Sequence, residues 1–290
     1  MRNDNQQLKI LTPNKTDFHF LEKYILPYEE SSVQLSNYIK KKSDKIFILS
    51  YSNSVSDISN YMGILYLDST VLHCIPCPSK FSFSDKIVIL NYLKDLKISC
   101  INGKKEGTDF LVDILSAIKL PSQTNVYDLM ILKTLPNPAP EPLCNSDTII
   151  RCTKNNIYDL FELQMKYLQQ EVAPKGHEVS DLICKTSLKQ ILKEQLVLAI
   201  HTDDFNDIEF VSKANTNAIG LNWVQIGGVY THPLFRKNYY AWHLISELCK
   251  RILLSNKKVS LFVREKNYPA ISLYKKIGFI HSQKFTIVYY

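Results

Sequence analysis

Residues 223–256 read WVQIGGVYTHPLFRKNYYAWHLISELCKRILLSN. The opening run, Trp223 to Tyr230, is rich in β-branched and aromatic residues and broken only by Gly227-Gly228, which reads as a strand. A short loop at 231–239 follows, holding Pro233, Arg236 and Lys237. After it, Trp242, Ile245, Leu248, Cys249, Ile252 and Leu253 recur at the spacing of one buried helix face. A strand, a basic loop and a helix start can together hold a phosphate, because the first helical turn has unpaired N–H groups at the positive end of its dipole.

Downstream, residues 259–263 read as a strand, 269–276 as a helix, and 286–290 as a last strand beyond Gly278. Upstream, the pattern gives a strand at 148–152, helices at 155–170 and 182–194, and strands at 195–201 and 208–213. Asn215-Thr216-Asn217 has turn chemistry and is expected to lead into the strand that opens at Trp223. From 148 onward the order is therefore β-α-α-β-β-β-α-β-α-β.

The region before residue 135 has the same mixture. Helical spacing covers 17–42 with a break at Pro27, residues 46–51 (IFILSY) are an apolar strand, and 62–67 with 71–75 form a hairpin turning at Asp68-Ser69-Thr70. A helix at 86–94, a strand at 98–102 ending at Gly103, a helix at 108–118 capped by Thr108, and a strand at 126–132 follow. Residues 135–142, LPNPAPEP, hold four prolines and exclude a regular helix or a central strand. Such spacers join domains, so the boundary is placed near 142, giving an α/β chain with domains 1–142 and 143–290.

At 290 residues the chain has room for two domains of ordinary size, and 45% hydrophobic with 22% charged residues is the balance of a folded protein. No run has the length of a membrane span, and the first residues lack the apolar core of a secretory leader. Seven cysteines, several of them inside apolar runs, read as buried thiols in a reducing compartment, so a cytoplasmic location is expected. The formal charge of +7 is spread over scattered lysines, which favours anionic ligands mildly and is too diffuse to point to nucleic acid.

Three blocks, in order, carry a resemblance. They are Gly227-Gly228-Val229-Tyr230-Thr231-x-Pro233, then Arg236-Lys237-Asn238-Tyr239-Tyr240-Ala241, then Asn267-Tyr268-Pro269-Ala270-Ile271-x-Leu273-Tyr274-x-x-x-Gly278-Phe279. Together they resemble the GNAT acetyltransferase superfamily over about residues 147–290. In that family's acetyl-CoA motif a basic residue or glutamine is followed by two spacers, glycine, one spacer, and glycine or alanine. Arg236 and Ala241 match it, and Tyr239 stands where the central glycine is found. The first half resembles a shrunken GNAT-like half without a phosphate loop, so the chain is similar to tandem GNAT proteins that keep the cofactor site in the C-terminal copy.

The resemblance implies a mixed, mostly antiparallel sheet flanked by helices, preceded by a smaller α/β domain. It further implies acetyl transfer from acetyl-CoA, with no metal, to a primary amine on a small molecule or peptide. The backbone of Arg236, Lys237, Asn238, Tyr239, Tyr240 and Ala241 would hold the pyrophosphate, with the two cationic side chains adding charge. Val229, Tyr230 and Thr231 would pair with the pantetheine arm as with an added strand, and Asn267 would touch the cofactor from the next helix start. Tyr274 would protonate the departing thiolate. The base that deprotonates the amine is left open among Glu171, Glu178 and Glu209, with His177 a weaker candidate. Tyr239 is expected to fit by keeping an ordinary helical φ with its side chain turned away.

Each feature also has a plainer reading. Cys74 and Cys77 form a lone C-x-x-C at a strand end, without the second pair a zinc site needs. Tyr274 has the spacing of a core aromatic, Glu171 suits a solvated carboxylate, and Gly227-Gly228 suits either a β-bulge or tight sheet packing. Two further functions stand beside the acetyltransferase. One is a binding or regulatory acyl-CoA module in which Tyr239 blocks turnover. The other is an aminoacyl transferase of the Fem type, which is also built from two GNAT-like halves.

Overall fold

The computed structural model describes residues 7–173, 176, 178–203 and 210–290. The first half runs β1 (Lys9–Leu11), α1 (Phe18–Ile25), α2 (Val33–Lys40), β2 (Ile46–Ser50), β3 (Tyr61–Leu67), β4 (Thr70–Cys74), α3 (Phe83–Leu93), β5 (Cys100–Lys104), α4 (Lys105–Leu115) and β6 (Gln123–Leu132). The second runs β7 (Asp147–Cys152), α5 (Phe161–Tyr167), α6 (Asp181–Glu194), β8 (Val197–Thr202), β9 (Phe210–Ile219), β10 (Trp223–Thr231), α7 (Tyr240–Leu254), β11 (Lys258–Arg264), α8 (Tyr268–Ile277) and β12 (Ile280–Tyr289).

The two halves share one sheet, in the order β1-β2-β3-β4-β5-β12-β6-β11-β10-β9-β8-β7. Among the described residues its only parallel pairs are β4–β5 and β10–β11. The sheet is covered on both faces: α1 and α2 pack one side of the first half and α3 and α4 the other. In the second half α5 and α6 lie over β7 and β8, while α7 and α8 cover the opposite face of β10 and β11. The apolar stripe that predicts α7 is the reason it docks, since Trp242, Ile245, Leu248, Cys249 and Ile252 are all buried.

Strands from either side of residue 142 interleave in the sheet. β6, the last strand of the first half, lies between β11 and β12, and β12 lies between β5 and β6. Each half therefore contributes its last strand to the place beside the other half's parallel pair. Sequence pattern identifies a buried strand but not its partner, because pairing is set by the whole sheet. The proline-rich segment, expected as a spacer, is strapped down: Asn137 N–H donates to the Ile277 carbonyl at 2.8 Å, and Trp242 Nε1 donates to the Asn137 carbonyl at 3.0 Å. A second tie is Glu29, fully buried, whose carboxylate accepts the Asn222 N–H at 2.9 Å and the Ser36 hydroxyl at 2.7 Å.

Three local expectations are corrected. Asn215-Thr216-Asn217 is not a turn; β9 runs straight through it, and the chain reverses at 220–222 instead. Its polar groups are served inside the sheet, with Asn215 Nδ2 donating to Asn217 Oδ1 at 2.9 Å and the Thr216 hydroxyl donating to Gln195 Oε1 at 2.7 Å. Thr108 does not cap α4, which begins three residues earlier; it is buried and hydrogen-bonds the His73 ring at 2.8 Å. The helix expected at 155–170 is broken into a 3-10 turn, α5, and a π turn at Leu168–Val172.

Candidate functional site

β10 and β11 pair from Trp223–Lys258 to Ile226–Leu261 and then part. On its other edge β10 carries a bulge: Gly227 faces Asn215 and Tyr230 faces Lys213, leaving two residues of β10 against one of β9. Gly228 makes this possible with φ +59, a left-handed conformation, and a Cβ there would stand 1.9 Å from Asn215 Oδ1. The Gly228 carbonyl accepts from Lys213 Nζ at 2.9 Å. Lys213 is fully buried under the Tyr167 ring, and that burial lowers its pKa to about 7.

Where the strands part, a cleft of about 880 Å³ opens. On one side it reaches the start of α7, lined by Lys237, Tyr239, Tyr240 and Ala241, and the start of α8, lined by Asn267 and Ala270. It is also lined by Gln170 and Glu171 of the π turn, by Tyr167, and by Tyr127, Arg264 and Tyr289 from β6, β11 and β12. The interleaved strands β6 and β12 thus form part of its wall.

The start of α7 has no side-chain cap. Its N-cap, Tyr239, is left-handed at φ 56, ψ 7, and Lys237 has φ 72, so the expectation of an ordinary helical φ at Tyr239 is corrected. A left-handed residue followed by a helical one turns successive N–H groups toward a common point, the geometry of an anion-binding nest. For a residue with a Cβ this costs about 1 kcal/mol, which glycine would avoid. The Tyr239 ring meets Trp242 edge-on, with centroids 6.3 Å apart.

Tyr274 is buried against the cleft, and desolvation raises its pKa, with the Tyr167 and Glu171 charges pushing the same way. It therefore keeps its proton at neutral pH. Tyr167 is pushed up to about 12, chiefly by burial, against the opposing effects of a backbone hydrogen bond with Gly228 and of Arg264. Tyr167, Glu171 and Tyr274 consequently form one interacting group in the cleft lining.

Of the residues picked out by sequence, Val229, Tyr230, Thr231, Arg236, Lys237, Tyr239, Tyr240, Ala241, Asn267, Tyr274 and Glu171 all line this cleft. Asn238 is exposed and does not line it. The Tyr230 ring is largely committed to the core beneath α5, and Arg236 folds back so that its Nε donates to the Thr231 carbonyl at 3.2 Å. Asn267 caps α8 by accepting the Ala270 N–H at 3.2 Å. Glu178 is exposed and outside the cleft; Glu209 and His177 lie outside the described residues. Sequence reading missed Lys213, Tyr167, Tyr127, Arg264 and Tyr289. A cation ending the otherwise apolar run VSLFVR was the available signal for Arg264.

All seven cysteines are free, Cys74 buried and Cys77 exposed. Among the described residues no group of three or more His, Cys, Asp or Glu is placed to hold a metal, and no helix is long and apolar enough to cross a membrane.

The FR47-like protein family matches residues 209–288, which span β10, α7, β11 and α8. A solved Drosophila protein is similar over 97% of this chain and 98% of its own, at 11% identity and a TM-score of 0.65. A tandem GNAT protein from the clavulanic acid biosynthesis pathway is similar over 97% and 98%, at 8% identity and a TM-score of 0.60. A GCN5-related N-acetyltransferase from Sphaerobacter thermophilus is similar over 97% and 94%, at 11% identity and a TM-score of 0.59. No curated protein matches the chain in sequence. At these identities the likeness is one of fold: a GNAT C-terminal half preceded by a GNAT-like N-terminal half.

Proposed function

We propose that the C-terminal half binds acetyl-CoA in the cleft and directs its acetyl group to a primary amine by direct attack in a ternary complex. The observation that carries this reading is the release of the parallel pair after Ile226–Leu261 over a cleft that ends at the uncapped start of α7. Bound acetyl-CoA supplies the acyl thioester. The N–H groups of Tyr239, Tyr240 and Ala241 hold the diphosphate, with Arg236 and Lys237 adding charge. The free edge of β10 at Val229 and Thr231 takes the peptide-like arm, and Asn267 flanks it. Glu171 accepts the proton of the attacking amine, directly or through water. Tyr274, kept protonated by burial, donates to the departing sulfur.

In this reading the chain divides at residue 142, and each half is completed by the other's last strand. The acceptor enters from the mouth walled by β6 and β12, so the first half shapes the acceptor site although the cofactor contacts come from the second. The free cysteines suit a reducing, cytoplasmic setting.

Thiol release from acetyl-CoA in the presence of a panel of amines tests the proposal. Release that depends on an amine, with kcat lowered roughly a hundredfold by Tyr274→Phe and KM little changed, is the expected result. Binding without release for every amine would instead favour the non-catalytic module.

A further inference from the structure

Arg264 is a cation at the cleft with no salt-bridge partner among the described residues. It ends β11 directly opposite Tyr127 of β6, so the two side chains share a face of the sheet. Its Nε and Nη2 are both buried and have no hydrogen-bond partner among the described residues. The carboxylates beside it in sequence and across the sheet are engaged elsewhere: Glu265 with Lys284 at 3.3 Å, and Asp128 with Lys284 at 2.7 Å and His281 at 3.2 Å. Arg264 nevertheless acts on its surroundings, since its charge draws down the phenols of Tyr167 and Tyr289, which burial pushes up. Leaving charged donors buried and unpaired is costly, and such groups in a folded protein commonly have a partner that binds.

We propose that Arg264 receives the carboxylate of the acceptor, so that the amine acylated here belongs to an amino acid or similar amino-carboxylate. This rests on the acetyl-transfer reading above and names its substrate class. Nε and Nη2 form one edge of the guanidinium, and their parallel N–H bonds match the two oxygens of a carboxylate. A single cation also balances a monoanion better than a phosphate dianion. Tyr127 and Tyr289 flank the same mouth and offer phenol donors to the same group. Glu171 lines the same cleft, and Tyr167 feels the charges of both Glu171 and Arg264, so an acceptor held at Arg264 by its carboxylate has the proposed base within the same cavity.

The test uses the full chain, acetyl-CoA, the common amino acids each paired with its carboxamide, and aminomethylphosphonate. Acetyl-CoA binding is measured separately by calorimetry. The expected result is a kcat/KM for the acids roughly tenfold to a hundredfold above that for their amides, the size of a charge-assisted hydrogen bond. Arg264→Gln brings that ratio close to one with acetyl-CoA affinity unchanged, and Arg264→Lys restores part of it. Equal turnover of acids and amides, a ratio indifferent to Arg264→Gln, or preference for the phosphonate overturns the carboxylate assignment. So does acetyl-CoA binding without turnover of any amino acid. Failure to bind acetyl-CoA at all instead sinks the acetyl-transfer reading beneath it.

Discussion

In the N-terminal half the parallel pair β4–β5 holds from Thr70–Cys100 to Leu72–Asn102, and the His73 imidazole packs into the space beyond it, leaving a cavity of only about 80 Å³. That ring packs so tightly on Gly103 and Gly107 that a Cβ on Gly103 would stand 2.2 Å from its Nε2. Burial holds His73 neutral, with its pKa down at about 3. The start of α3 is likewise occupied by the protein's own groups: Ser82 accepts the Asp85 N–H, and the Asp85 carboxylate accepts the Ser82 N–H and the Tyr51 hydroxyl at 2.7 Å each. In the C-terminal half the corresponding pair opens onto a cleft, and the corresponding helix start carries no cap. One framework thus has its ligand position either filled from within or left free. A carboxylate at a helix N-terminus occupies the place an anion would take, so the proposed acyl-CoA site is confined to the second half.

The filled half should resist alteration most strongly. Gly103→Val places side-chain atoms inside the His73 ring and should cost about 3 kcal/mol or more in a denaturant melt. The acetyl-CoA affinity of the fraction that remains folded should not change. Gly228→Ala attacks the open half by forcing a Cβ into a left-handed bulge against Asn215; a loss of about 2 kcal/mol is expected. It should come with weaker acetyl-CoA binding, measured on protein that still shows a cooperative melt.

Lys213 sharpens the comparison through pH. Its pKa falls from 10.5 unfolded to about 7 folded, so between these values the unfolded chain binds the extra proton. Its unfavourable effect is therefore full below pH 7 and is relieved as pH rises toward 10.5. Between pH 7 and 8.5 the wild type should gain up to about 2 kcal/mol relative to Lys213→Met, read as the difference between the two stability curves. Tyr239→Gly should have the smallest effect. Removing the left-handed strain is offset by lost ring contact and added chain entropy, leaving a change of about 1 kcal/mol or less.

The sequence made the open half legible because its signals are local. A strand, a basic loop and an amphipathic helix can be read within residues 223–256, and the spacing to Asn267 and Tyr274 needs no knowledge of distant pairing. What escaped was long-range or conformational. Nothing in QTNVYDLMIL says that β6 lies against β11, since any apolar strand fits a central position. With the partners of β6 unread, the place of Tyr127 beside Arg264 and Tyr289 was invisible. Asn215 and Thr216 looked like turn residues because their side chains compete for backbone hydrogen bonds, and only buried partners keep them in a strand. The left-handed φ of Tyr239 was hidden because a residue's identity gives a preference, which the fold overrode here.

Calorimetric titration of acetyl-CoA into the full chain measures the contrast between the halves most directly. One molecule bound per chain is the predicted result, with the heat diminished by Gly228→Ala and preserved in folded Gly103→Val. Two molecules per chain, one molecule whose binding ignores Gly228→Ala, or no binding at millimolar acetyl-CoA would contradict it.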